Sequence, residues 1–264
     1  GGTLETDARR RDFSVNALYA ALDTGAVSDP TGGLADLTRR VLRTTSANPD
    51  DILKSDALRV LRLVRFACEL GFAIDPATFD AAKRGAGMLA DIAAERRRDE
   101  LCKLLLCDAK YPSLAETAGQ RSVLRALTLL EALSAWPFLV PAFDACRGLA
   151  QRPDHHRYDA LTHMFHACAA TPPELALRLG GLLHDVGKPP CREKNGNLYD
   201  HARMGEPIAR ETLRVLRFSN ALTENVCALV RHHMYDIQEQ AKESTLRVRF
   251  ATWGWELTRQ LICI

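Results

Sequence analysis

The sequence predicts a mainly α protein in three parts: an α/β edge over residues 1–45, a helical body over 46–150 and an all-helical domain over 151–264. Three observations carry this reading. Short apolar runs surround the turn-rich segment Ser28-Asp29-Pro30-Thr31-Gly32-Gly33 near the start, apolar residues recur at three- and four-residue steps from about Asp50 onward, and all eight histidines fall after residue 154.

In the first part the pattern reads as a short helix, two strands around a turn, and then a further helix or strand. Asp29 is expected to bond its own backbone in that turn, with glycine supplying the positive φ. In the second part Leu53, Leu58, Leu61 and Val64, and later Leu101, Leu104 and Leu105, mark buried helical faces. Tyr111-Pro112, Trp136-Pro137, Val140-Pro141 and Gln151-Arg152-Pro153 punctuate the middle, and the histidines begin just beyond them, so the boundary is expected near residue 150. In the third part the apolar stretch Leu175 to Leu183 reads as a buried helix stopped by Gly187 and Pro189.

With 264 residues, 47% of them hydrophobic, the chain can bury a sizeable core. It contains no apolar run of the ~18 residues needed to span a bilayer. The opening Gly-Gly-Thr-Leu-Glu-Thr-Asp has neither the basic nor the apolar region of a signal peptide, so a cytoplasmic protein without a membrane partner is expected. The eight cysteines are dispersed with no C-x-x-C pair, which argues against zinc knuckles and disulfide frameworks. A net charge of +2 makes no global case for nucleic acid. The basic residues are clustered, however, at Arg9 to Arg11, Arg39 to Arg43, Arg59 to Arg65 and Arg96 to Arg98, and clusters bind phosphate where totals do not.

From Asp56 to Arg65 one carboxylate and three guanidinium groups, on Asp56, Arg59, Arg62 and Arg65, follow one another at i,i+3 steps, expected on a single helix. An Asp beside an Arg offers an acceptor next to a fork of donors, which matches the amino donor and ring-nitrogen acceptor shared by adenine and cytosine. Guanine and uracil present the opposite order. Taken alone, the same two residues also fit an ordinary surface salt bridge.

After residue 150 the informative element is the His184-Asp185 doublet, delivered by the end of the apolar helix, with His163 and His166 upstream and His201, His232 and His233 downstream. Imidazole and carboxylate suit Mn²⁺, Fe²⁺, Ni²⁺, Zn²⁺ or Mg²⁺, and a metal-bound water attacks phosphoesters. His166 reads as packing, and for His201 and His232 a surface position is at least as good an account as ligation.

Arg10-Arg11-Asp12-Phe13-Ser14-Val15-Asn16-Ala17-Leu18, Asp29 to Leu37, Asp56 to Arg62, Arg65-Phe66-Ala67 with Leu70-Gly71-Phe72, and Glu95 to Leu101 resemble, in order, the motifs of bacterial CCA-adding tRNA nucleotidyltransferases and poly(A) polymerases of class II. The resemblance implies that Arg11 contacts the sugar or phosphates of the incoming nucleotide, and that Asp12 and Asn16 shape its pocket. Asp56 and Arg59 would select ATP or CTP, with Arg62 and Arg65 assisting. It also implies tRNA as partner and Mg²⁺ as cofactor of transfer. Two departures are visible. Ser55 stands where the family usually has Glu, and the family's catalytic head, with its Asp-x-Asp pair for magnesium, lies upstream of the first motif, so residues 1–45 are expected to be only the C-terminal part of that head and the chain alone inactive in transfer.

Leu183-His184-Asp185-Val186-Gly187-Lys188 resembles the HD phosphohydrolases, and the segment as a whole is similar to the HD domain of some bacterial CCA-adding enzymes. This implies His163, His184 and Asp185 as primary ligands of a divalent metal such as Ni²⁺, Mn²⁺ or Fe²⁺, with His201 and His233 at a second metal or on phosphate. The distal Asp that usually closes the site is not reached before Ile264, and Asp236 or Asp200 are substitutes. The expected function is therefore CCA addition to tRNA 3′ ends from CTP and ATP by the parent protein. The alternatives are hydrolysis of nucleotides or RNA 2′,3′-cyclic phosphate by the HD domain, poly(A) synthesis, and a non-catalytic RNA-binding module. The sequence carries no signal for oligomeric state.

Overall fold

Thr3 opens the first helix by accepting the amide of Thr6, and the acidic first turn and basic last turn of α1 (Leu4–Arg10) both complement its dipole. The computed structural model describes residues 3–115, 121–150, 158–235 and 241–264. His155, His156, Asp236 and the Gln151-Arg152-Pro153 punctuation lie outside them.

After α1, strands β1 (Tyr19–Ala20) and β2 (Val27–Ser28) pair antiparallel, as the apolar runs on either side of a turn require. Asp29 then caps α2 (Gly33–Arg39), its two carboxylate oxygens accepting the amides of Gly33 at 2.7 Å and Leu34 at 3.0 Å. Gly32 sits at φ 81°, and a Cβ on Gly33 would lie 2.2 Å from the Ser14 carbonyl oxygen, so both glycines are required by the backbone itself. Strand β3 (Val41–Leu42) follows, and pairs in parallel with β4 (Ala73–Ile74) across the intervening helices α3 (Pro49–Ser55) and α4 (Leu58–Glu69). The unit continues through α5 (Pro76–Gly85), α6 (Ala94–Leu105), α7 (Cys107–Lys110), α8 (Pro112–Ala115) and α9 (Ser122–Ala132).

Helix α4 is the axis of this unit. Its Leu58, Val60, Leu61, Leu63, Val64, Ala67 and Cys68 are buried against α6 and α9 and neighbouring elements. The expectation that Asp56 shares this helix with the three arginines is corrected. Asp56 has extended φ/ψ (−156°, 104°) between α3 and α4, and its Oδ1 accepts the Leu58 amide at 3.1 Å, so it works as a cap outside the helix.

The second unit holds α10 (Phe143–Cys146), α11 (Ala160–Ala170), α12 (Leu175–Leu183), α13 (Lys188–Asn195), α14 (His201–Val215), α15 (Asn220–His232) and α16 (Glu243–Ile262), the last interrupted at Gly254. The two compact units divide between Phe138 and Leu139, earlier than the boundary expected near 150. Helix α10 accounts for the difference: Phe143 packs edge-on against Phe165 of α11, and the Leu149 carbonyl accepts the Ala160 amide that starts α11. Helix α12 is the core of the unit, buried along Ala176 to Leu183 and packed between α11 and α15.

Candidate functional site

In the first unit a cavity of about 480 Å³ opens beside the start of α4. Six residues singled out in the sequence line it: Arg11, Asp12, Asn16, Asp56, Arg59 and Arg62. Leu58, Phe66 and Arg96 complete the lining, so four guanidinium groups face two carboxylates, a balance that suits an anionic ligand.

Each charged group is held from behind. Asp12 is buried, accepting the Phe13 amide and the Asn16 side chain on Oδ1, while Oδ2 takes Arg62 at 2.6 and 2.8 Å. The Arg62 guanidinium also lies over the Phe66 ring at 5.3 Å. Arg11 is fixed by Asp7 and by the Tyr19 hydroxyl, and the Tyr19 hydroxyl, followed by Arg11, holds the exposed Asp7 carboxyl below its usual range.

Asp56 and Arg59 do not pair with each other. Asp56 Oδ2 accepts Arg96 at 2.7 Å. Arg59 donates to the carbonyls of Ile52 (2.9 Å) and Arg10 (2.7 Å) and to Ser55 Oγ (2.8 Å), which in turn donates to Ile52. Ser55, at the position where a Glu was expected, therefore takes part in orienting Arg59 through a hydroxyl. A carboxylate has about four lone-pair sites and a guanidinium five N–H donors, so Asp56 keeps two acceptor sites and Arg59 two donors.

Arg65 does not line the cavity. It is buried, donating through Nε to Glu100 at 2.8 Å and through Nη1 to both oxygens of Glu69 at 3.0 and 3.2 Å. The i,i+3 spacing that selected it carries no information on which side of α4 is covered. Arg96 is the charged lining residue that sequence reasoning misses, its only signals there being the basic run Arg96 to Arg98 and the motif Glu95 to Leu101.

In the second unit five expected residues converge. His163, His184 and Asp185 form one group of potential metal donors and Asp185, His201 and His233 another, with all donor atoms of each group within 4.8 Å of one another. Asp185 Oδ2 faces His184 Nε2 at 3.2 Å and His163 Nε2 at 3.5 Å, and Oδ1 faces His201 Nε2 at 3.0 Å and His233 Nε2 at 3.8 Å. His184 delivers its ring from the end of α12. His201 is the first residue of α14, and its approach depends on Gly187, where a Cβ would lie 2.1 Å from the His201 carbonyl oxygen. His201 is thus 3% exposed, not at the surface.

The orientation of these rings bears on a metal. Nδ1 of His184, His201 and His233 lies 2.9, 2.6 and 2.8 Å from the carbonyl oxygens of Gly181, Leu198 and Val230. Nδ1–H donation to these carbonyls aims each Nε2 inward, where it carries either a proton or, with that proton gone, a lone pair for a metal, the arrangement by which proteins prepare histidine ligands. Nε2 of His201 then meets Nε2 of His233 at 3.1 Å, a contact that a cation between acceptors stabilises. Burial pushes the His233 imidazole down to about 3, with His184 adding to it, so the ring is neutral near pH 7. Burial opposes the charge on Asp185, yet His184, His201 and Lys188 outweigh it and hold the carboxyl well below its usual range. The donor set therefore fits a divalent transition metal.

Lys188, not singled out by the sequence as a site residue, lies 2.6 Å from Asp185 Oδ2 and is 5% exposed; the signal for it is its i,i+3 spacing from Asp185. His166 stacks on Tyr158 at 4.3 Å and His232 packs against Trp253 at 4.9 Å, so both belong to packing. Asp200 is half exposed beside Arg203 and belongs to neither donor group.

An arginine-lined cavity at an α/β edge, followed by a helical body and a unit bearing a His-Asp donor set, is the order of features expected of a nucleotide-binding edge, a helical neck and an HD domain. Residues 1–43 match the poly A polymerase head domain, residues 71–116 the "Probable RNA and SrmB- binding site of polymerase A", and residues 155–253 the HD domain. In these three segments the chain is similar to the head, RNA-binding and HD domains of poly A polymerase-type proteins.

Among its relatives, the A-adding tRNA nucleotidyltransferase of Deinococcus radiodurans is 35% identical over 99% of this chain and 59% of its own length. The CC-adding tRNA nucleotidyltransferase of Thermus thermophilus is 36% identical over 91% of this chain and 55% of its own. The crystal structure of the Bacillus stearothermophilus CCA-adding enzyme in complex with CTP superimposes with a TM-score of 0.60 at 25% identity, covering 99% of this chain and 58% of that one. The chain thus spans less than two thirds of the length of these relatives.

Proposed function

We propose that the parent protein adds nucleotides to tRNA 3′ ends from CTP and ATP, and that this chain supplies its nucleotide-selecting pocket. The observation that carries the reading is the convergence of Arg11, Asp12, Asn16, Asp56, Arg59 and Arg62 on one cavity from segments some 50 residues apart in sequence. Asp56 and Arg59 read the base edge with their remaining acceptors and donors, and Arg11 and Arg62 hold the triphosphate. Arg62 is aimed by Asp12, and Asn16 in turn holds Asp12. The Mg²⁺ of nucleotidyl transfer does not fit these residues, because both lining carboxylates are already paired with arginines.

The test is ATP binding to this chain. Arg62→Ala should weaken it about tenfold, as expected for a lost charge-assisted phosphate contact of about 1.5 kcal/mol. An unchanged affinity would exclude the cavity as the nucleotide site. No helix among the described residues is long and apolar enough to cross a membrane. The proposed work on tRNA places the parent protein in the cytoplasm.

The His-Asp set favours a second activity. His163, His184 and Asp185, with His201 and His233, would hold Ni²⁺, Mn²⁺ or Fe²⁺, which when bound supplies Lewis-acid activation for phosphoester hydrolysis of nucleotides or of an RNA 2′,3′-cyclic phosphate. Asp185 brings the negative charge, the backbone carbonyls fix the imidazoles, and Lys188, held on Asp185 at 2.6 Å, would offer its ammonium to a phosphate bound there. Calorimetric titration with Ni²⁺ tests this: binding should be lost in His184→Ala and kept in His166→Ala. Binding that survives His184→Ala would remove the reading.

A further inference from the structure

We propose that Arg96 is a positioning residue for base selection, acting through Asp56; this rests on the reading of Asp56 as a base-contacting carboxylate. Arg96 stands in the first turn of α6, forty residues beyond Asp56, and among the described residues is the single lining residue contributed from beyond Phe66. Its Nη2 donates to Asp56 Oδ2 at 2.7 Å while the Leu58 amide donates to Oδ1 at 3.1 Å. One donor on each oxygen fixes both the position and the plane of the carboxylate.

With only the Leu58 amide remaining, Asp56 would be tethered at one oxygen and free to turn about it. A base would then bear the entropic cost of ordering the side chain on binding. The cost falls selectively. A base edge with an amino donor opposite Asp56 depends on where those lone pairs point, whereas triphosphate contacts through Arg11 and Arg62 do not. Arg96 also blocks a competing arrangement, since an Asp56 released from it is free to swing onto the unspent donors of Arg59 and close the template on itself.

A simple structural role predicts something different. The Arg96 and Asp56 side chains are 51% and 29% exposed, and an ion pair this open contributes little to stability. Loss of Arg96 should therefore spare the fold and change selectivity.

The experiment titrates ATP, CTP, GTP and UTP against the 264-residue chain and against Arg96→Ala, Arg96→Lys and Asp56→Asn, with thermal midpoints recorded for each. Arg96→Ala should reduce the preference for ATP and CTP over GTP and UTP by about two- to tenfold. Its midpoint should stay near that of the unsubstituted chain, and Arg96→Lys, which restores one donor, should lie between the two. A preference that is unchanged in Arg96→Ala but lost in Asp56→Asn overturns the role of Arg96 and leaves the template standing. A preference moved by neither substitution overturns both. A steep fall in the midpoint of Arg96→Ala would mark Arg96 as a fold residue and also overturn the proposal.

Discussion

Arg65→Ala separates a fold residue from a pocket residue within one helical row. Arg65, Glu69 and Glu100 are 6%, 3% and 3% exposed at their side chains, so the guanidinium satisfies two carboxylates that water hardly reaches. Removing one partner of such a buried set costs about 3–5 kcal/mol, because the penalty is the charge left behind. Lys103 at 2.9 Å from Glu100 and Lys110 at 3.6 Å from Glu69 offset part of it, which favours the lower end, about 3 kcal/mol. With a urea m-value of about 1–3 kcal/mol/M, the midpoint of the affected transition should fall by about 1–3 M. ATP affinity, measured well below that midpoint, should hold. Arg62→Ala should behave in the opposite way, with weakened ATP binding and a smaller stability loss than Arg65→Ala, since the Arg62 side chain is 33% exposed and Asp12 keeps the Phe13 amide and the Asn16 side chain. A stability loss under about 1 kcal/mol for Arg65→Ala, together with a loss of ATP affinity matching that of Arg62→Ala, would refute the assignment.

Two further substitutions test how the sites are built. Gly187→Ala places a methyl against the His201 carbonyl and the Gly205 backbone; it should cost at least about 1–3 kcal/mol by thermal melting and weaken Ni²⁺ binding by moving His201. Asp29→Ala removes the cap of α2 and should cost about 0.5–2 kcal/mol. Burial opposes the Asp29 charge, but the amides of Leu34 and Gly33 prevail and depress its carboxyl. Its contribution is thus complete above the ordinary carboxylate range and lost as pH falls through the folded value, so the difference between the unsubstituted chain and Asp29→Ala should shrink on acidification.

The turn at Asp29 and the run Arg11-Asp12-Asn16 were legible in the sequence because their chemistry is local: a carboxylate four residues ahead of a helix start, and donors and acceptors a few residues apart. Position along the chain was also enough to pair His184 with Asp185. What it could not supply was burial. Arg65 has the same spacing as Arg62, and only the packing of α6, which brings Glu100, turns it inward. For His201 a surface position was at least as good a reading as ligation, because nothing near it in sequence announces that Gly187 lets α14 approach the Asp185 turn. Arg96 and Lys188 became visible as site residues only once Asp56 and Asp185 were seen to accept them. The helical periodicity from Asp50 onward gave the fold class. It did not reveal that Asp56 falls in the break between α3 and α4, since a cap and a first-turn residue share the same i,i+3 pattern.

The most direct test of the central claim is the affinity of this chain for ATP, CTP, GTP and UTP, repeated with Arg59→Ala. Selection by the Asp56 and Arg59 edges predicts that ATP and CTP bind more tightly than GTP and UTP by about 1–3 kcal/mol, and that the difference disappears in the variant. Equal affinities for all four nucleotides, or a preference that survives Arg59→Ala, would contradict it.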